Sequence, residues 1–272
     1  MNAVEKYYDV NRKRWDELVA IHAASQEYDL EGFTAGKNSL HSIELEALGD
    51  VSGKSLLHLQ CHFGLDTLSW ARLGAKVTGV DFSEPAIDLA REVAKKIGVD
   101  AEFICCNVYD LPEHLDAEYD IVFTSYGALC WLPDMGEWAR IVSRYLKPGG
   151  TFFMAEFHPF MWVFDYERPS EFKIKYPYWQ GEEPDYEESD GSYADPDAKL
   201  ENRGTYNWAH PVSEVVNALI AAGLTIEELG EYPFSVDGTQ MGFMERRDDG
   251  YHDIPGYGLP LMYSVKATKA QG

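Results

Sequence analysis

One stretch, residues 54–83 (KSLLHLQCHFGLDTLSWARLGAKVTGVDFS), restricts what this chain can fold into more than any other. A short apolar run, 55–59, lies between Gly53 and a turn around Gly64, the pattern of a buried strand. Leu65, Leu68, Trp70, Ala71 and Leu73 then recur at roughly helical spacing, and Gly74 closes the helix. A second apolar run, 76–80, forms a second strand that delivers Asp81 at its tip. Strand, loop, helix, strand, acid is the layout of a βαβ nucleotide-binding unit. Its loop overlies the helix start, where free backbone N–H groups meet ligand oxygens. A carboxylate at the second tip supplies the two coplanar acceptors that a ribose diol requires.

The loop argues against a dinucleotide. A pyrophosphate needs bare backbone, hence G-x-G-x-x-G, whereas residues 59–64 read Leu-Gln-Cys-His-Phe-Gly and keep one glycine. A ligand with a ribose and no phosphates fits better. On these residues the chain resembles the class I S-adenosylmethionine-dependent methyltransferases. Their first motif, apolar-apolar-acid-apolar-G-x-G-x-G, aligns with His58 at the acid, Gln60 and His62 at the first two glycines and Gly64 at the third. Residues 79–83 (GVDFS) match the family's ribose motif, Cys106-Asn107-Val108 the adenine-edge motif, 119–123 (YDIVF) the opening of the fourth strand, and 146–150 (LKPGG) the turn before the fifth. The resemblance covers about residues 52–157. It implies S-adenosyl-L-methionine as cofactor, with Asp81 on the ribose and Phe82 against the adenine. Asn107 and the Val108 N–H would meet the adenine edge, and Gly64 would admit the methionine part. Gln60 and His62 become cofactor neighbours, and Ser125 and Tyr126 lie near the transferable methyl.

The rest of the chain extends the same rhythm. An amphipathic helix over 4–24 carries Val4, Tyr7, Tyr8, Trp15, Leu18 and Val19 on one face. It packs on the core or covers the cofactor with its aromatics. A linker over 27–37 and a short helix over 39–48 precede the first strand. Helices over 84–97, 134–146 and 211–222 alternate with strands over 101–106, 119–124, 151–157, 224–231 and 261–268. The expected fold is α/β: a Rossmann-like, doubly wound, mostly parallel sheet of the class I methyltransferase type, with ligands at the strands' carboxyl ends. A single domain would comprise an N-terminal helical cap (1–50), a cofactor-binding core (51–158), an insertion (159–209) and a completion of the sheet (210–272). Residues 160–207 break the rhythm; rich in Tyr, Trp and Phe, they are too aromatic for a disordered tail and too long for an ordinary connection. A lid over the acceptor or a structured decoration fits them. A second irregular loop spans 233–258.

Charge and composition narrow the partners. Asp and Glu number 46 against 23 Lys and Arg, a formal net charge of −23, and no basic stripe offsets it. A nucleic-acid substrate is therefore not expected, and a small-molecule acceptor is. An acidic run, 182–190, near the entrance would favour a cationic amine; facing bulk solvent, it would leave a neutral acceptor such as a phenol. No apolar run approaches the roughly 18–20 residues that span a bilayer, so a cytoplasmic protein without membrane association is expected. Cys61, Cys105, Cys106 and Cys130 have no metal-ligand spacing, and no metal is expected. The oligomeric state is open. Methyl transfer from a sulfonium needs alignment and water exclusion above all, and a base only where the nucleophile holds a high-pKa proton. His158, after strand five and fixed by Pro159, and Tyr126 are the catalytic candidates. His210, also before a proline, is a weaker one. A nicotinamide-dependent oxidoreductase shares the βαβ logic, and a non-catalytic binding module shares the fold; both stand as alternatives.

Overall fold

The computed structural model describes residues 3–165, 172–238 and 244–271. Its centre is a seven-stranded sheet. The first five strands are β1 (Ser55–Leu59), β2 (Lys76–Asp81), β3 (Ala101–Cys105), β4 (Tyr119–Ser125) and β5 (Leu146–Phe157). Two late strands, β8 (Leu224–Tyr232) and β11 (Met262–Lys269), complete it in the order β3-β2-β1-β4-β5-β11-β8. Strands β1 to β5 are mutually parallel, while β11 runs antiparallel to both β5 and β8. The expected α/β, mostly parallel sheet is present. Its order reverses between β1 and β4, and that reversal opens a crevice above their carboxyl ends.

The strands alternate faces as the pleat requires. Leu57, Leu59, Val122, Phe152 and Met154 pack on one side with α7 (Met135–Tyr145) and α8 (Val212–Ala221). Leu56, Ile121, Phe123, Phe153 and Ala155 pack on the other with α3 (Ser42–Leu48) and with Trp70 of α4 (Leu65–Arg72). Helix α5 (Glu84–Ile97) seals that second side over Phe103. Both faces are covered, so the strands read as continuous apolar runs. Each fully buried Leu, Val or Phe contributes about 1.5–3 kcal/mol. Helix starts follow the capping chemistry: the Ser83 side chain accepts from the Ala86 N–H, and Asp134 accepts from Glu137.

Three expectations need correcting. The linker at 27–37 contains a helix, α2 (Leu30–Thr34), capped by the left-handed Asp29 and anchored by the buried Phe33. Five residues are too few to display a helical period. The fifth strand begins at Leu146 rather than 151, because Leu146 already pairs with Tyr119 before the register shifts at the Pro148–Gly150 turn. The short helix before β1 starts at Ser42, with Glu44 and His41 forming its capping box.

The insertion docks on the first helix, α1 (Ala3–Ala24). In sequence, the small helical pieces Val108–Asp110 and α6 (Leu111–His114) lie between β3 and β4. Within the insertion, β6 (Asp185–Glu188) and β7 (Gly204–Asn207) form an antiparallel hairpin. The buried Arg14 of α1 donates to the carbonyls of Ser189, Gly191 and Arg203, and to the Ser189 hydroxyl, at 2.8–3.0 Å. Asn11 exchanges two hydrogen bonds with the Tyr206 backbone, and Glu17 accepts from the Glu201 and Asn202 N–H groups. A second small ladder pairs β9 (Glu245–Arg246) with β10 (His252–Asp253). Parts of both irregular segments, 166–171 and 239–243, lie outside the described residues. Among the described residues no helix is long and apolar enough to cross a membrane.

Candidate active site

A cavity of about 770 Å³, its mouth included, opens where the strand order reverses. The loops after β1, β2, β3 and β4 supply its floor. Of the residues that the sequence singles out, Gln60, His62, Asp81, Phe82, Asn107, Val108 and Tyr126 all line it.

The loop after β1 keeps the backbone of a glycine motif without the glycines. Gln60 and His62 have φ of 57° and 52°, in the left-handed region that glycine favours. The turn survives and two side chains are added to it. Gln60 Nε2 donates to the Ala128 carbonyl at 2.8 Å, while its Oε1 is buried with no partner. A buried acceptor left unmade costs about 1–3 kcal/mol, so this atom awaits a donor. Asp81 is 8% exposed at the end of β2. Its Oδ2 accepts from the His62 N–H at 2.8 Å and its Oδ1 from the Ser83 N–H at 3.0 Å. Each oxygen retains a lone pair for a further donor. Burial raises the Asp81 carboxyl to about 6 against these backbone bonds. Asn107 spends one lone pair on the Tyr109 N–H, capping the turn that places Val108 on the wall.

Gly64, Ser125 and His158 do not line the cavity. Gly64 starts α4 at φ 74°, and a Cβ there would stand 2.7 Å from the Phe103 ring, so helix–strand packing demands the glycine. The Ser125 hydroxyl turns away from the ligand space into a polar network, donating to Asp66 at 3.0 Å and meeting His58 Nε2 at 3.3 Å. His58 in turn contacts the Thr67 hydroxyl at 2.8 Å. His158 meets Glu231 at 3.1 Å through Nε2 and accepts the Phe160 N–H through Nδ1, tying the end of β5 to β8. His210 likewise joins the Leu132 carbonyl to Glu214.

Two carboxylates were given no individual role by the sequence reading. Glu156, buried at the end of β5, accepts from the N–H groups of Gly127, Ala128, Leu129 and Phe157. It folds the loop that brings Gly127, Ala128 and Trp131 to the cavity. Glu44 of α3 is fully buried and accepts the Tyr126 hydroxyl at 2.7 Å and the His41 N–H at 2.8 Å. Burial and the nearby Asp66 charge push its carboxyl up to about 7. Burial and Glu44 push the Tyr126 phenol well above its ordinary range, so the tyrosine is the donor. The signal for Glu44 in sequence was only a capping-box position.

The roof is aromatic. Trp15 of α1 meets Trp131 edge-on at 5.4 Å and His62 at 5.3 Å. Tyr28 and Tyr193 line the same side and share a hydrogen bond between their hydroxyls.

Comparison with known proteins agrees with this architecture. Residues 57–154 match the methyltransferase domain family. A ubiquinone biosynthesis O-methyltransferase of Xanthomonas euvesicatoria is 28% identical over 157 residues, 57% of this chain and 64% of that protein. The chain thus matches less than two thirds of that relative's length. Among solved structures, the DhpI–SAH complex superposes with a TM-score of 0.57 at 15% identity, over 98% of this chain and 99% of that one. A putative S-adenosylmethionine dependent methyltransferase from Listeria monocytogenes gives 0.55 at 19% identity, over 84% and 95%. Residues 57–154 are thus similar in sequence to methyltransferase domains, and over nearly its whole length the chain has the fold of the class I S-adenosylmethionine-dependent methyltransferases.

Proposed function

We propose that this protein transfers a methyl group from S-adenosylmethionine to a hydroxyl of a small, uncharged acceptor. The observation that carries the reading is the pairing, in one cavity, of the Asp81 carboxylate with the unpartnered Gln60 Oε1. Asp81 has one lone pair free on each oxygen for the ribose hydroxyls, and Gln60 Oε1 suits the ammonium of the methionine part. Phe82, Val108 and Leu132 offer apolar walls for the adenine. Among the described residues no Lys or Arg lines the cavity, which leaves a pyrophosphate without a counter-charge and disfavours a nicotinamide dinucleotide. The O-methyltransferase relative supports a hydroxyl acceptor. The acidic run 182–190 is mostly exposed and does not line the cavity, which supports a neutral acceptor such as a phenol over an amine.

When bound, the cofactor supplies an electrophilic methyl on a sulfonium whose leaving group is a neutral thioether. The roof residues Trp15, Tyr28, Trp131 and Tyr193 exclude water. Tyr126 and Glu44 handle the proton. The Tyr126 oxygen accepts the acceptor's hydroxyl proton while its own passes to Glu44 Oε2, and a carboxyl pushed up to about 7 is basic enough to hold it. His158, bound to Glu231 and off the cavity wall, is the less suited of the two candidate bases.

Calorimetry with S-adenosylhomocysteine and with NAD tests the cofactor half; tight binding of the first and none of the second is expected. Labelled methyl groups would then be followed into simple phenols and catechols, amines, tRNA, DNA and protein. Transfer into the hydroxyl compounds supports the reading, and efficient transfer into nucleic acid overturns it.

A further inference from the structure

We infer that His22 and His62 form a clasp that shuts the roof over the cofactor cavity and sets the rate at which cofactor exchanges. The inference rests on the cofactor assignment and not on the identity of the acceptor.

The starting point is a strained residue. His62 stands at φ 52°, where the family motif has glycine. A non-glycine residue there persists only when its surroundings hold it in place. What the imidazole contributes is visible in its partner: His62 Nε2 lies 3.1 Å from Nδ1 of His22 on α1, with the two rings nearly perpendicular at 84°. The other nitrogen of His22 lies 3.2 Å from the Ser192 hydroxyl in the insertion. One chain of contacts therefore joins the cofactor loop, the N-terminal helix and the insertion. Tyr28 stacks on the His22 ring at 5.1 Å, and Tyr193 lies at 4.9 Å. His62, Trp15, Tyr28 and Tyr193 all line the cavity, so parting the two histidines parts its roof.

An N–H···N bond between imidazoles needs one neutral ring as acceptor, and two charged rings repel. The surroundings keep both neutral. His22 is fully buried, and burial with the Arg14 charge on the same helix lowers it to about 4. Burial and His22 hold His62 well below its ordinary value. The other groups facing the pair are Tyr28 and Tyr193, both protonated, with Glu27 and Asp66 acting on Tyr28, Glu27 and Asp237 acting on Tyr193, and Asp81 beneath the His62 backbone. The sign follows. An opened His22 titrates near 6.5 and the closed one near 4, so the closed roof loses ground as pH falls below 6.5. At a pH of about 5.5 the expected loss is about tenfold. Asp81, raised to about 6, weakens the ribose contact over the same range, so the two effects must be separated by mutation.

The test is the dissociation rate of S-adenosylhomocysteine, read by stopped-flow tryptophan fluorescence through Trp15 and Trp131, in wild type, His22→Asn and His62→Gly. His62→Gly is the decisive variant, because glycine adopts the same φ freely and its melting temperature is expected to hold or rise. Both variants should release S-adenosylhomocysteine at least about fivefold faster at pH 7.5. His22→Asn should also lose most of the extra acceleration that wild type shows at pH 5.5. Wild-type rates in His62→Gly, or a full acid response in His22→Asn, would overturn the clasp. Failure of the wild-type protein to bind S-adenosylhomocysteine would remove the cofactor assignment and the clasp with it, and is distinguished because no off-rate exists to compare.

Discussion

At Asp81 the competing terms are all on one side chain. Burial raises its carboxyl to about 6, and the N–H groups of Ser83 and His62 pull it back. In the proposed ribose role, replacing it with alanine would remove two charge-assisted bonds, worth roughly 1.5–3 kcal/mol each. Calorimetry should show cofactor affinity weakened at least about tenfold in Asp81→Ala with the fold retained; an unchanged dissociation constant would reject the ribose role. Glu44 and Tyr126 make the complementary residue-scale case. Glu44 must be ionised to take a proton, so turnover should rise with pH through about 7 and fall below it. Glu44→Gln and Tyr126→Phe should each lower kcat about 100-fold while leaving cofactor affinity within about twofold. An unaltered acid limb in Glu44→Gln would exclude it as the proton acceptor. Asp81 was legible because a motif announces it. Glu44 was not, because α3 lies far from β4 in sequence and only folding sets its carboxylate against the Tyr126 hydroxyl. Ser125 shows the reverse: its place at the strand tip pointed to the methyl, yet Asp66 and His58 draw its hydroxyl into the network below.

Among elements, α1 and the β6–β7 hairpin behave as one unit although more than 160 positions separate them. Arg14 fastens them, its guanidinium spread over three carbonyls and a hydroxyl. Arg14→Ala leaves the buried Gly191 carbonyl unpaired and the half-buried acceptors on Ser189 and Arg203 to water, a local cost of about 1–3 kcal/mol. Hydrogen exchange should show faster opening of the amides at 185–207 with little change in β1 to β5; uniform protection in the variant would count against the fastening. The Arg14 contacts also explain what the sequence could and could not say. An aromatic, overlong insertion was visible in composition, and a lid role was expected of it. That it seats on α1 through backbone carbonyls leaves no trace in sequence, since carbonyls carry no residue identity.

At the scale of the molecule, a net charge of −23 coexists with a cavity whose wall, among the described residues, holds a single carboxylate, Asp81. The acidic residues of 182–190 lie on an exposed hairpin where salt screens them. The acceptor's KM should therefore move less than about twofold between about 50 and about 500 mM salt. A steep rise with salt would point to a cationic acceptor steered by that run.

The succession of strands and helices from β1 to β5 and the place of Asp81 at the tip of β2 were determined by the sequence itself. Each depends on local periodicity and on turn residues that act within a few positions. The tertiary structure alone decided which candidate side chains face the cavity and which brace the frame. Gln60, His62, Asp81 and Tyr126 line the cavity, while Gly64, Ser125 and His158 hold the walls behind it. It also decided that Glu44, Glu156 and His22 belong to the site at all. The physical reason is the same in each case: a buried polar group takes whichever partner the packed chain brings within about 3 Å, and that partner is chosen by topology rather than by neighbours in sequence.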